Sequence, residues 1–126
     1  MKLSFGIIKG SFTIHRLSPG SKIPDNVLQC SFYSISKTDQ ELSIVCPSSL
    51  PVNSENSDTG WSCLKVLGPF DFSLTGVIAN ISGNLAKAEI SIYAISTFDT
   101  DYILVKSDNL EEAKKVLRKA NHTFVD

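Results

Sequence analysis

The sequence predicts an α+β protein of the ferredoxin-like class, with two tandem units of which the N-terminal one is reduced. Two observations carry this prediction. After Trp61 the apolar pattern reads strand, helix, strand, strand, helix and a short last strand, which is the βαββαβ order. Before Trp61 the strand rhythm is similar, but the helical segments are short. We therefore expect a reduced unit at residues 1–60 and a complete unit at residues 61–126, as two halves of one fold.

Length, composition and charge narrow the class of protein before any motif is considered. The chain has 126 residues, 42% of them hydrophobic and 20% charged, which is typical of a globular domain. The net charge of −1 gives no global attraction to nucleic acid or to an anionic membrane. No apolar run approaches the roughly 18 residues that a membrane-spanning helix needs. Three cysteines without a CxxC motif are typical of the reducing cytosol, so we expect a cytoplasmic protein with thiols buried on strands.

The first half of the chain reads as short strands around one helical turn. Residues 12–17 alternate apolar side chains and form a predicted strand, and residues 23–28 hold one predicted helical turn. Residues 30–37 and 41–46 are rich in aromatic and β-branched side chains on either side of a short connection, which predicts an antiparallel hairpin. Residues 47–60 contain two prolines and four serines, which predicts a long loop.

The second half opens with a strand and a long helix. Residues 61–67 form the predicted strand, which Gly68 and Pro69 end. The helix is predicted by apolar residues whose spacing places them on one stripe: Leu74, Val77, Ile78, Ile81, Leu85 and Ala88. Ser73 or Asp71 would cap its start.

Two more strands and a second helix complete the pattern. Residues 90–96 and 102–105 predict strands that a turn at residues 98–101 joins. Residues 108–111 resemble a capping box at the start of the last helix. The buried stripe of that helix is predicted to be Leu110, Ala113, Val116, Leu117 and Ala120. Residues 122–125 predict a short final strand.

Two stretches are more specific than this order of elements. Residues 68–79 read GPFDFSLTGVIA, and residues 95–105 read ISTFDTDYILV. Together they closely resemble the ACT domain, a βαββαβ module that senses small molecules, in the branch found in animal cytosolic arginine sensors. The resemblance extends over roughly residues 11–124 and includes a group of short bacterial proteins of two ACT-like units.

The resemblance implies a regulatory function rather than catalysis. ACT domains pair side by side, in one chain or between chains, and hold their ligand at the interface between the units. We therefore expect a regulatory protein that binds an amino acid or a similar small zwitterion. The arginine sensors have four such units and this chain has at most two, so the resemblance also implies a homodimer. The alternative is a ligand-free protein-interaction or dimerisation module of the same fold, and a small enzyme is a third possibility.

The donor side of the expected site is the start of the first long helix. Gly76 falls in its first turn, where a Cβ would block the approach of a ligand or of another backbone. The N–H groups of Gly76, Val77 and Ile78 would receive a carboxylate, helped by the helix dipole. The alternative is that Gly76 only permits tight packing of the helix on the sheet.

The acceptor side is the turn between the two later strands, at Thr97, Phe98, Thr100 and Asp101. The carbonyl groups of these residues and the Asp101 carboxylate suit an ammonium or guanidinium group. In the arginine sensors the matching Thr, Phe and Asp positions contact the ligand side chain, so the resemblance implies that Asp101 pairs with a cation. In the alternative reading, Thr100 and Asp101 only shape the hairpin and Phe98 is a core residue.

Other functional classes lack support in the sequence. His15 and His122 lie far apart and no nucleophile elbow is present, so we expect no catalytic residues. The sequence has no HxxxH, no CxxC and no dinucleotide or phosphate-binding glycine loop, so we expect no metal and no cofactor. The predicted sheet offers one tyrosine and no basic cluster, which argues against RNA, and we expect neither nucleic acid nor membrane as a partner.

Overall fold

The computed structural model describes residues 1–68 and 75–125. The chain forms two compact units: unit 1 contains Met1–Lys9 and Ser62–Asp126, and unit 2 contains Gly10–Trp61. The division into domains at residues 60 and 61 stays a prediction. In chain order the elements are β1 (Ser4–Leu17), α1 (Asp25–Gln29), β2 (Ser34–Lys37), β3 (Leu42–Pro47), β4 (Asn56–Gly68), α2 (Val77–Lys87), β5 (Ile92–Ser96), β6 (Asp101–Lys106), a 3-10 turn (Ser107–Asn109), α3 (Leu110–Lys119) and β7 (Thr123–Phe124).

Unit 2 is a small sheet with one short helix. Its strands follow the order β2, β3, β1 and β4, and β3 is antiparallel to both β1 and β2. The predicted hairpin and the predicted helical turn are therefore confirmed. The apolar alternation of β1 and β3 directs side chains to one face, where they meet the buried side of α1. This core consists of Leu17, Val27, Leu42, Ile44 and Cys46.

The loop predicted after β3 is shorter in the structure, because β4 begins at Asn56. The connection that remains is anchored to β1 at both ends. The Ser48 N–H donates to the Ser11 carbonyl at 2.8 Å, and the Glu55 N–H donates to the Arg16 carbonyl at 3.1 Å. Paired backbone of this kind is typical of a fixed connection rather than of an open lid.

Unit 1 has the predicted ferredoxin-like arrangement. Its strands follow the order β7, β1, β4, β6 and β5; β5 is antiparallel to β6, and the short β7 is parallel to β1. Helices α2 and α3 bury their apolar stripes in one core, which confirms the periodicity from which they were predicted. The fully buried members of this core include Leu64, Val66, Ile81, Leu85, Ile103, Val105, Ala113 and Leu117.

Strands β4 and β6 run in opposite directions. The Ser62 and Ser107 hydroxyl oxygens lie 2.8 Å apart, and the Thr100 hydroxyl donates to the Val66 carbonyl at 2.5 Å. Because the residue number rises along one strand while it falls along the other, the strands are antiparallel. The end of β4 therefore lies beside the turn that precedes β6.

The first strand is longer than predicted. Its pattern was recognised only from Phe12, whereas β1 begins at Ser4. Gly6, Lys9 and Gly10 interrupt the apolar alternation of the first segment, so no period is visible there. This segment is specified by long-range contacts instead, because Phe5 pairs with Phe124 of β7 in the sheet and stacks on its ring at 5.2 Å.

The predicted capping box at residues 108–111 is wrong. Asn109 is the residue before α3, and it makes no side-chain hydrogen bond to the helix start. The 3-10 turn that leads into α3 holds Asn109 at φ −101° and ψ 2°, whereas a capping side chain needs an extended backbone to reach the first N–H groups. The predicted caps Ser73 and Asp71 of α2, like Leu74 of its stripe, lie outside the described residues.

Helix α2 ends in a Schellman motif. The Ile90 N–H donates to the Leu85 carbonyl at 3.0 Å, and the Glu89 N–H donates to the Ala86 carbonyl at 2.9 Å. The motif holds Glu89 in the left-handed region at φ 59°, and Ile90, the next residue, enters the core. Glutamate has a Cβ that disfavours this conformation, so this position stores strain that a glycine would not.

His122 has the same position after α3 that Ile90 has after α2, and its side chain joins three segments of unit 1. Its Nδ1 accepts from the Leu3 N–H at 3.0 Å, and its Nε2 lies 2.7 Å from the Asn80 Oδ1. Since Nδ1 is an acceptor, the proton of the neutral ring sits on Nε2 and is donated to Asn80. The ring is 2% exposed, and this burial, followed by the N-terminal charge, lowers its pKa from the usual 6.5.

We expect Glu89→Gly to stabilise the protein by about 0.5–1 kcal/mol, because the left-handed backbone is strained for glutamate. The measurement is urea unfolding of the full chain. Ala86→Gly in the right-handed part of α2 is the matched control and should destabilise by about 1 kcal/mol. Equal losses from both substitutions would contradict the strain at Glu89.

We expect the free energy of unfolding to fall as the pH drops below about 6.5, because His15 and His122 are buried and their folded pKa values lie below the unfolded value. Below about pH 6.5 the unfolded chain binds more protons than the folded chain. The contribution of each neutral histidine to the free energy of unfolding is therefore complete above the unfolded pKa and is lost as the pH falls towards the folded pKa. The slope is at most about 1.4 kcal/mol per pH unit per histidine. Urea unfolding at about pH 7.5 and about pH 5.5 measures it. His122→Asn should weaken the pH dependence of the free energy of unfolding, and His15→Asn should leave the contribution of His122 in place. If His122→Asn leaves the pH dependence unchanged, the His122 ring is not its cause.

Candidate functional site

The predicted site residues all belong to unit 1. The turn between β5 and β6 is fixed to the end of β4 by the hydrogen bond from the Thr100 hydroxyl to the Val66 carbonyl. Helix α2 comes after β4 in the chain, and its first residue, Val77, is buried in the same core as Ile103 of β6. The sequence therefore folds so that the two predicted halves of the site belong to one unit.

The sequence predicted Gly76 in the first turn of α2, but in the structure Gly76 lies before the helix. Its φ of 89° and ψ of 14° are left-handed, and its carbonyl accepts the first helical hydrogen bond, from the Asn80 N–H at 2.8 Å. Among the described residues, nothing lies within 4 Å of a Cβ placed on Gly76. The left-handed backbone conformation therefore gives the reason for a glycine at this position.

The first turn of α2 retains the donors that the prediction assigned to a carboxylate, with one change. The N–H groups of Val77, Ile78 and Ala79 have no intrahelical acceptor, because each precedes the fourth residue of the helix. Gly76, one residue earlier, forms the approach to this turn. The helix dipole adds a partial positive charge at the same place.

Asp101 begins β6 and pairs with Ser96 of β5. Its Oδ1 accepts from the Ser96 hydroxyl at 2.6 Å, in an exposed hydrogen bond. Residues paired directly across antiparallel strands share a face, and alternate residues along a strand do too. Asp101 therefore shares the face of Ile103, which is the face that α2 and α3 cover.

Thr97 and Thr100 hold the turn together. The Thr97 N–H and hydroxyl both donate to the Thr100 carbonyl, at 2.8 and 3.0 Å, and the Thr100 N–H donates to the Thr97 hydroxyl at 3.2 Å. These contacts are the hairpin-shaping role that the sequence left open. The ligand contacts assigned to both threonines stay a prediction.

Phe98 is a fully exposed aromatic residue at the tip of the turn, with a relative exposure of 105%. The alternative that Phe98 is a core residue is therefore wrong. Any contact of its ring must come from another molecule or from a bound ligand.

The turn also borders a cleft on the opposite face of the sheet. The cleft has a volume of about 320 Å³, and its lining residues are Lys65, Val66, Leu67, Thr97, Asp99, Thr100 and Tyr102. Sequence reasoning did not assign Lys65, Asp99 or Tyr102 to a site. The signal was present for Lys65, since a charged residue between Leu64 and Val66 of a strand faces away from their core.

Nucleophilic and metal chemistry find no support in the described residues. Burial raises the pKa of the Cys63 thiol to about 12, and burial with the nearby Cys30 raises the pKa of Cys46 to about 11. Cys30 is half-buried at the end of α1 and not on a strand, which corrects that prediction. Residues 1–68 and 75–125 contain no cluster of three metal-ligating side chains, and none of their helices is long and apolar enough to cross a membrane.

Comparison with protein families matches the chain twice. A model described as the ACT domain matches residues 56–119, and a second model, described as an N-terminal domain, matches residues 10–51. The human protein named "Cytosolic arginine sensor for mTORC1 subunit 1" is 34% identical over 98 residues, which are 71% of this chain and 30% of that protein. The chain thus spans less than a third of the length of the curated relatives that it matches.

Comparison with solved structures supports the fold over nearly the whole chain. A crystal structure of an Agrobacterium tumefaciens protein has 39% identity and a TM-score of 0.92, and the match covers 99% of this chain and 93% of that one. The regulatory subunit of aspartate kinase from Thermus thermophilus has 12% identity and a TM-score of 0.65, with coverages of 92% and 96%. At that identity the second match shows the fold alone.

We expect Gly76→Ala to destabilise the protein by about 1–2 kcal/mol, because an alanine disfavours the left-handed backbone there. The matched control is Gly83→Ala in the interior of α2, where a Cβ meets nothing within 4 Å among the described residues. That change should stabilise by about 0.5–1 kcal/mol. Urea unfolding compares the two, and a neutral or stabilising Gly76→Ala would restore the position inside the helix that the sequence predicted.

Proposed function

Because this chain belongs to the ACT domain family, we propose that it is a non-catalytic regulatory protein that binds an amino acid or a similar small zwitterion. The observation that carries the proposal is that both halves of the expected site belong to unit 1: Asp101 shares the strand face of Ile103, and Ile103 lies in the same core as Val77, the first residue of α2. One supplies a negative charge and the other supplies N–H donors with a positive dipole end. A zwitterion needs both.

The proposed ligand contacts are those of the predicted site, with the geometry of the structure. The N–H groups of Val77 and Ile78 receive the carboxylate, and Gly76 leaves the approach to them open. Asp101 receives the cationic group with the carboxylate oxygen that Ser96 does not occupy. Thr97, Phe98 and Thr100 contribute through the turn, as carbonyl acceptors and as an apolar cover.

The ligand is held between units of two chains in a homodimer. Two observations support this assembly. In unit 1, β5 lies at the end of the strand order and pairs with β6 alone among the described strands, so its outer edge is available to a second chain. The exposed Phe98 lies at the end of this same strand pair. Binding regulates because a ligand that prefers one dimer geometry shifts the population towards it.

A cytoplasmic location is part of the proposal. Cys30, Cys46 and Cys63 are all free thiols, which suits a reducing compartment. The curated relative is named a cytosolic sensor, and the similarity to it extends over 71% of this chain.

The second candidate is a ligand-free interaction module of the same fold. Phe98 favours it, because an exposed aromatic side chain is typical of a protein contact. The two candidates share the dimer and differ in the response to amino acids.

We expect one or a few of the twenty amino acids to raise the melting temperature of the chain by several degrees, since ligand at a hundredfold excess over its Kd stabilises by about 2.7 kcal/mol. Asp101→Ala should remove the rise, because it removes the charge that receives the cation. Ser96→Ala is the matched control, since it removes the same hydrogen bond and keeps the charge. Thermal unfolding of the dimer measures all three.

The opposite results are equally clear. A dimeric protein that responds to none of the amino acids is the ligand-free module. A rise that Asp101→Ala keeps and Ser96→Ala removes would assign the recognition to the hydroxyl group instead of the carboxylate.

A further inference from the structure

The cleft beside β4 lies on the sheet face that α2 and α3 do not cover. Leu64 and Val66 are buried in the helix-covered core, so the side chains of Lys65 and Leu67 between and after them lie on the other face. On β6, the Ile103 side chain lies on the helix-covered face and the Tyr102 side chain lies on the other face. The cleft is therefore separated by the sheet from Asp101 and from the start of α2.

Two opposite charges line this cleft. The Lys65 ammonium lies 5.9 Å from the centre of the Tyr102 ring, which holds the side chain over the cleft by a cation–π contact. Asp99 supplies a carboxylate from the exposed turn. In the described part of the chain no ion pair joins Lys65 to Asp99.

The rest of the lining limits what the ligand can be. The hydroxyls of Thr97 and Thr100 donate within the protein, to the carbonyls of Thr100 and Val66. Leu67 is 41% exposed and presents an apolar wall. A ligand therefore meets one cation, one anion, an apolar wall and the Tyr102 side chain, and the volume of about 320 Å³ falls at the small end of ligand pockets.

We propose that this cleft is a second small-molecule site, which takes a neutral amino acid with an apolar side chain. Its carboxylate pairs with Lys65, its ammonium group pairs with Asp99, and its side chain packs on Leu67. A charged ligand side chain finds no further group of opposite charge in this lining. The two sites share Thr97 and Thr100 of the turn, but this one differs in face, in its charged residues and in ligand class from the one proposed at Asp101, so each has its own test.

The test is an NMR titration of the isotopically labelled full chain with L-leucine and L-phenylalanine. Saturable shifts at Tyr102 and Leu67 are expected for one or both. Two analogues of L-phenylalanine, 3-phenylpropionate without the ammonium group and 2-phenylethylamine without the carboxylate, should each bind about tenfold more weakly or worse, since each leaves one charge unpaired.

Variants assign the charges. Lys65→Met and Asp99→Asn should each weaken binding of the amino acid about tenfold or more. Lys115→Met and Asp108→Asn are the matched controls, because these exposed charges lie on α3 and in the 3-10 turn, away from the cleft, and they should leave the Kd unchanged.

Three results would overturn the proposal. One is the absence of shifts at Tyr102 and Leu67 with either amino acid at millimolar concentration. Another is equal binding by Lys65→Met and by the unchanged protein. The third is a response confined to the amides of Val77 and Ile78 and lost in Asp101→Ala, which would support the function proposed above and remove the second site.

Discussion

One buried imidazole, that of His122, joins three segments of unit 1. Because this unit is assembled from Met1–Lys9 and Ser62–Asp126, something must join its first strand to the rest. His122 does so, since it accepts from the Leu3 N–H and donates to the Asn80 side chain. Asn80 in turn donates its own N–H to the Gly76 carbonyl, which closes the first turn of α2. The contact that holds the N-terminal strand thus also fixes the helix start on which the proposed carboxylate site depends.

The alternation of side chains across the sheet explains why one hairpin serves two surfaces. Asp101 and Tyr102 are neighbours in the sequence, but one shares the face of Ile103 and the other lies opposite. Residues that sequence reasoning grouped into one site are divided by this alternation. Thr97 and Thr100 border the cleft, whereas Asp101 remains with α2. A set of residues chosen by distance along the chain cannot show this division; the strand register does.

The parts of the fold that sequence reasoning found are those with a local period. The stripes that include Leu85 and Leu117 predicted both long helices, because a 3.6-residue period is visible in consecutive residues. The strand at residues 4–11 was missed because its support comes from β7, more than a hundred residues away in the chain.

The residues of the candidate site likewise differ in whether a local pattern or a long-range contact specifies them. Gly76 was singled out for the space that a Cβ would fill, whereas the structure gives its left-handed backbone as the reason for a glycine. Leu74 extends the apolar stripe of the sequence, so the helix was expected to begin before Gly76. The meeting of Lys65 with Asp99 in one cleft follows from the pairing of β4 with β6, which no local pattern encodes.

The tip of the hairpin is where stability is given up. An exposed phenylalanine forgoes roughly 1.5–3 kcal/mol of burial, and a polar residue would form the same turn. The hydrogen bond from the Thr100 hydroxyl to the Val66 carbonyl connects the two proposed sites. Asp101 is adjacent to Thr100 in the chain, and Lys65 is adjacent to Val66. A ligand at either proposed site would contact a residue adjacent to a partner of this hydrogen bond. If either ligand prefers one position of the turn, the two bindings are coupled, and the coupling is equal in both directions by linkage.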